Sequence, residues 1–181
     1  MIKYEELMAL KNFGQKCDYT DRDVMLYAYG IGFGADPIDE KELAFVNEST
    51  LIPRSLKVVP TFASVAAWGA GPGDMKLNRL MVVDGERDIT FHKPLRTASN
   101  ITADSTVLAV FDKGKDKGAV IRYQIVLNDA NGEKLATLVG SRFARGDGGF
   151  GGPSEGQPEP HQMPIRGPDM SIDISTRPVR R

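Results

Sequence analysis

The chain has one cysteine, Cys17, among 181 residues. A single thiol excludes an internal disulfide framework and fits a reducing compartment; with no partner at ligand spacing it reads as a buried or idle side chain. Histidine is nearly as scarce. His92 sits in Phe91-His-Lys-Pro, and His161 lies between Pro160 and Gln162. Two distant histidines and one cysteine offer no metal-ligand spacing, and nothing in the residue order sets a base beside a nucleophile. An excess of one charge is also lacking: 23 basic residues face 24 acidic ones, for a net charge of −1. Generic nucleic-acid or membrane-surface binding therefore has little support. No apolar run approaches bilayer length, and the acidic Tyr4-Glu-Glu start is unlike a signal peptide. The expectation is a soluble, intracellular protein.

What the chain does have is β-structure, concentrated in residues 80–142. A first run alternates apolar and polar residues up to His92, and longer runs follow at 101–112, 118–127 and 133–143. Thr106, Val107, Val110, Phe111, Val120, Ile121, Tyr123, Ile125 and Val126 supply the β-branched and aromatic content of a pleated, partly buried surface. Asn131-Gly132 between the last two runs predicts a hairpin with positive φ at both residues. Antiparallel strands this long usually wrap around something, most often a helix.

Upstream, Gln15 to Tyr19 reads as a brief strand. Thr20, three residues before Asp23, predicts a capping box. Val24, Met25, Leu26, Tyr27, Tyr29 and Ile31 follow, apolar almost all round, so the helix is expected to be buried. Gly30, Gly32 and Gly34 end it; their spacing and their place after a helix argue against a dinucleotide loop. A short helix is expected over 39–45. Residues 51–68, apolar and punctuated by Pro53 and Pro60, read as core, with a turn cluster at 69–74. From Arg145 the composition turns to glycine and then to proline and polar residues, which cannot build a core alone. The expected division is a domain over 1–145 and an arm or linker over 146–181. Glu5-Glu6 and Asp39-Glu40 with Glu42 read as solvated helix faces rather than acid–base pairs.

Taken together, Tyr19-Thr-Asp-Arg-Asp-Val, Tyr27-Ala-Tyr-Gly-Ile-Gly-Phe-Gly, Val59-Pro-Thr-Phe-Ala, Val83-Asp-Gly-Glu, His92-Lys-Pro-Leu, Val110-Phe-Asp-Lys-Gly, Arg145-Gly-Asp-Gly-Gly-Phe-Gly-Gly, Arg166-Gly-Pro-Asp and Thr176-Arg-Pro resemble, in order and spacing, the N-terminal half of the MaoC-like 2-enoyl-CoA hydratases. The nearest likeness is to the hydratase 2 unit of the peroxisomal multifunctional enzyme of β-oxidation and its bacterial counterparts. The resemblance implies an α+β hot-dog fold, a long antiparallel sheet wrapped around a central helix, here Asp21 to Gly30, with an extended C-terminal arm. It implies two hot-dog units, of which the second carries Gly-Asp-x-Asn-Pro-x-His and the first shapes the acyl pocket. That motif is absent: Gly146-Asp147 continues as Gly-Gly-Phe.

A family His-Gly pair that contacts the CoA thioester reads Asp84-Gly85 here, which keeps the glycine and replaces a potential cation with a carboxylate. A ligand-touching lysine in Asp-Lys-Gly matches Lys113, available as a point charge for CoA phosphates; read without the resemblance, it is a hairpin-end lysine followed by Lys115 and Lys117. Met25, Phe62 and Trp68 are plausible pocket-lining residues. The implied activity is that of a non-catalytic, acyl-CoA-binding half of an (R)-specific hydratase/dehydratase, with no catalytic residue of its own and no cofactor beyond the coenzyme A of the substrate. It would act in fatty-acid β-oxidation with a second hot-dog subunit or domain, in the cytoplasm, or in the peroxisome if the chain is a fragment of a eukaryotic multifunctional enzyme. The alternatives are such a fragment, or a self-dimerising acyl-CoA-binding protein or thioesterase whose carboxylate would be Asp21 or Asp23.

Overall fold

In the computed structural model, residues 3–49, 56–160 and 162–173 are described. The readings that fall on residues 51–55, on His161 and on the tail beyond 173 lie outside them. Helix α1 (Tyr4–Met8) leads into β1 (Lys11–Tyr19), α2 (Asp21–Gly30), α3 (Glu40–Val46), a 3-10 turn (Pro60–Ser64), then β2 (Val82–Phe91), β3 (Ser99–Asp112), β4 (Ala119–Asn128) and β5 (Lys134–Ala144). The five strands form one antiparallel sheet in the order β1-β3-β4-β5-β2. This is the hot-dog α+β architecture.

The alternation of the central strands sets the core. Ile101, Ala103, Val107 and Val110 of β3, Ile121, Tyr123, Ile125 and Leu127 of β4, and Leu135, Leu138 and Ala144 of β5 join one buried cluster. Each fully buried branched side chain contributes about 2 kcal/mol. β1 begins four residues before the run that the sequence suggests. The β4–β5 hairpin falls where expected with a different turn: Gly132 alone has positive φ (80°). Asp129 organises the loop, its side chain accepting from the N–H of Asn131 and of Glu133, each at 2.9 Å. A turn plus a glycine bulge replaces the two-residue mirror turn.

The capping box is present. The Asp23 carboxylate accepts from the Thr20 N–H and hydroxyl, both at 2.8 Å, and the backbone bond above all holds it below its ordinary carboxylate range. Asp23 is thus committed to a helix cap. Asp39 caps α3 through the Lys41 N–H at 2.8 Å.

The burial expected all round α2 is corrected. Only Val24 and Ala28 are buried, whereas Leu26 and Tyr29 are 65% and 68% exposed. The segment packed into the sheet's concave face is 60–68 instead. Its Phe62, Ala63 and Ala66 are buried, and Phe62 meets Tyr19 and Tyr27 edge-on at 5.0 and 5.6 Å. With this segment in place, α2 has one face left to bury, and its other apolar side chains meet solvent. Trp68, expected in the core, is 85% exposed.

The start of the arm folds back. The buried Asp112 carboxylate accepts from the N–H groups of Gly114, Gly149 and Gly151 at 2.7–2.9 Å. The Gly149 bond leads in depressing its pKa. Gly148 lies so close that a Cβ there would stand 2.1 Å from the Gly114 carbonyl oxygen, and Phe150 stacks on Tyr4 at 6.4 Å.

Candidate functional site

Both edge strands carry a β-bulge, and the two bulges serve one cavity. In β1 the pairing Asn12↔Ser105 is followed by Gln15↔Ala103; in β2, Asp84↔Arg142 is followed by Arg87↔Gly140. Each edge thus inserts one extra residue, which brings two polar side chains three positions apart onto the same face. Gly14 takes positive φ (67°) in the first bulge and donates to Asp104 at 2.7 Å. At the second, the Glu86 N–H donates to Ser141 Oγ at 2.8 Å, and a Cβ on Gly85 would come 2.5 Å from that oxygen. A side chain at position 85 would push aside the Ser141 hydroxyl that holds the bulge.

The curved sheet turns Asn12, Gln15, Asp84, Arg87 and Arg142 toward a cavity of about 500 Å³, with Tyr123 and Ile125 from β4 and Trp68 and the 69–73 loop closing it. Gln15 is fixed by donating to Ser105 Oγ at 2.8 Å. Gly140 leaves room for the Tyr123 ring, since a Cβ there would come 2.9 Å from it. Arg142 lies over that ring at 5.2 Å and donates to Met75 Sδ at 3.8 Å. Arg87 Nη2 approaches the Tyr123 hydroxyl at 3.5 Å. A second cavity of about 450 Å³ flanks the 60–68 segment on its other side, lined by Phe62, Leu26, Tyr27 and the shared Trp68; Met25 is not in its lining.

Of the residues marked in the sequence, Asp84 lines the first cavity and Gly85 sits beside it in the bulge. Lys113 stands apart at the β3–β4 turn, its N–H bonded to the Gly118 carbonyl at 2.9 Å. Two strands intervene between β2 and β3, so Lys113 lies about 14 Å or more from Asp84. His92 contacts Thr137 at 2.8 Å and lines a groove of about 970 Å³ with Phe91, Leu95, Lys57 and Arg96, at the end of the sheet opposite Lys113. Burial pushes the Cys17 thiol up, which suits an unreactive side chain. No group of His, Cys, Asp or Glu among the described residues could hold a metal. Arg87, Arg142, Tyr123 and Gln15 were not expected at a site from the sequence, where Tyr123 and Gln15 read only as strand residues; glycines inside strands, Gly14 and Gly85, were the available signal for bulges.

The family model for the MFE-2 hydratase 2 N-terminal domain matches residues 17–146. The chain belongs to that family. Among relatives, 3-hydroxyacyl-thioester dehydratase Y of Mycobacterium tuberculosis is 32% identical over 163 residues, covering 88% of this chain and 54% of that protein. The peroxisomal enoyl-CoA hydratase 2 of Arabidopsis thaliana is 32% identical over 160 residues, 82% of this chain and 50% of that one. The crystal structure of a MaoC-like dehydratase from Phytophthora capsici superposes with a TM-score of 0.70 at 26% identity, covering 92% of this chain and 57% of that chain. The ChsH1-ChsH2 complex of M. tuberculosis, at TM-score 0.55 and 13% identity over 83% of this chain and 93% of its own, shares the fold. The chain spans about half the length of the curated relatives that it matches. It is a MaoC-like hot-dog domain of the hydratase/dehydratase group. No helix among the described residues is long and apolar enough to cross a membrane.

Proposed function

We propose that this chain is the acyl-CoA-binding, non-catalytic half of an (R)-specific 2-enoyl-CoA hydratase/dehydratase, acting with a second hot-dog unit that supplies the acid and base. The observation that carries this reading is the concave-face cavity: Asp84, at a ligand-contacting position of the family, opens onto it, and Trp68 links it to the apolar pocket around Phe62. A cleft of this size suits a small-molecule chain. Gly85 lets the backbone come close beside it, and Lys113 is the point charge for the phosphates of coenzyme A, which enters as part of the substrate. Asp147, the aspartate nearest to the family's catalytic motif, is tied to the Asn78 N–H at 3.1 Å and lacks the Asn-Pro-x-His that would follow it.

The partner surface is the free edge of β2 with the turn just before it, where Val83 is 48% and Leu80 95% exposed; an unpaired edge with apolar side chains favours association. The cap on Asp23 argues against a thioesterase that uses this carboxylate. The test is hydration of a medium-chain trans-2-enoyl-CoA by the purified chain, alone and mixed with a catalytic hot-dog subunit. Turnover in the mixture only is expected. Turnover by the chain alone would overturn the reading.

A further inference from the structure

The cavity holds two guanidinium groups that the acyl-thioester reading does not use. Arg142 stands directly across the ladder from Asp84, yet its side chain turns away from that carboxylate, to the Tyr123 ring and Met75 Sδ. Arg87 comes to the other side of the same tyrosine at its hydroxyl. Among the described residues neither arginine forms an ion pair. Two planar, permanently charged donors at one tyrosine, Arg142 over its ring and Arg87 at its hydroxyl, with Asp84 as the one carboxylate in the lining, leave the cavity with a net positive charge. A guanidinium pair of this kind suits a carboxylate, which it can grip through several parallel N–H bonds, and the Tyr123 ring holds the Arg142 cation in place before the ligand arrives.

We propose that Arg87 and Arg142 form an oxyanion subsite that makes this domain selective for acyl thioesters whose acyl group itself ends in a carboxylate. The inference rests on the acyl-thioester reading above and adds the class of acyl group. The subsite lies on the concave face beside Trp68, on the side of the acyl chain, whereas Lys113, Lys115 and Lys117 gather at the β3–β4 turn, where phosphates would be held.

The experiment is calorimetric titration of the full chain with adipoyl-CoA, hexanoyl-CoA, CoA and free adipate, repeated with Arg87→Met, Arg142→Met and Arg142→Lys. Adipoyl-CoA is expected to bind about ten- to hundredfold more tightly than hexanoyl-CoA, as charge-assisted bonds allow. Each Met variant should lose about tenfold or more of that preference, and Arg142→Lys should retain part of it. If Arg142→Met fails to fold, the wild-type preference and Arg87→Met on the edge strand decide. Equal binding of the two thioesters overturns the inference and leaves the acyl-thioester reading standing. CoA binding as tightly as adipoyl-CoA, and weakened by the same substitutions, overturns it in favour of a phosphate. Arginine-dependent binding of free adipate without binding of any thioester overturns both the inference and the thioester reading, and leaves a site for free carboxylates. Binding of none of the four overturns both.

Discussion

β4 and β2 are both ten residues long, and they are built for opposite purposes. Along β4, buried residues alternate with half-buried ones, and both of its edges are paired. Along β2, only Val82 and Ile89 are even partly covered, one edge is free, and a bulge interrupts the pairing. β4 spends its side chains on the core; β2 spends Asp84 and Arg87 on the cavity and Val83 on its surroundings. If the proposed site is right, stability and recognition fall to different strands of one sheet, and substitutions should separate them.

The largest effect should come from β4. Ile121 is fully buried, and Ile121→Ala should cost about 3–4 kcal/mol, read by urea unfolding; a loss below about 1 kcal/mol would mean that β4 is not the strand on which the core depends. A smaller effect is expected at the end of β3. Asp112→Asn should cost about 2 kcal/mol and release the arm, so that trypsin cuts after Arg145 faster than in the parent chain. The pH dependence has a definite sign. Asp112 has a depressed folded-state pKa, so its contribution is complete above the ordinary carboxylate value near pH 4 and is lost as pH falls from there through the depressed value. Parent and variant should therefore converge in acid; a gap that persists there would assign the latch to shape rather than charge. The smallest change in stability belongs to β2. Val83→Lys should shift unfolding by about 0.5 kcal/mol or less, yet abolish co-elution with a catalytic hot-dog subunit. Intact co-elution would place the partner on another surface.

The three long strands were legible because their alternation is sustained for ten residues or more, and a period of two has few competitors at that length. The cap of α2 was legible because its geometry is local. Its burial was not, since Leu26 and Tyr29, facing solvent, are spelled with the same letters as core residues. Trp68 misled for the same reason: an apolar side chain does not declare whether its own chain covers it. Asp84 was marked through family resemblance and Trp68 as a pocket-lining residue, whereas Gln15, Arg87 and Arg142 beside them stayed hidden. Arg87 lies an odd number of positions from Asp84, so strict alternation sends the two to opposite faces, and only the extra residue in the bulge reunites them. Arg142 reads as the polar phase of β5 until its ring partner on β4 is known. Lys113 was legible as a turn residue, while its separation from Asp84 depended on strand order.

The bulge beside Gly85 also acts as a filter. A straight, flat rim accepts almost any extended peptide, including further copies of itself, and stacks without limit. This rim is bent and more strongly twisted where one residue too many is accommodated, so an incoming strand must bring a matching curvature or leave donors and acceptors unmet. The feature that aims Arg87 inward thereby narrows the range of strands that could pair with the outer edge, and it disfavours open-ended stacking of further copies.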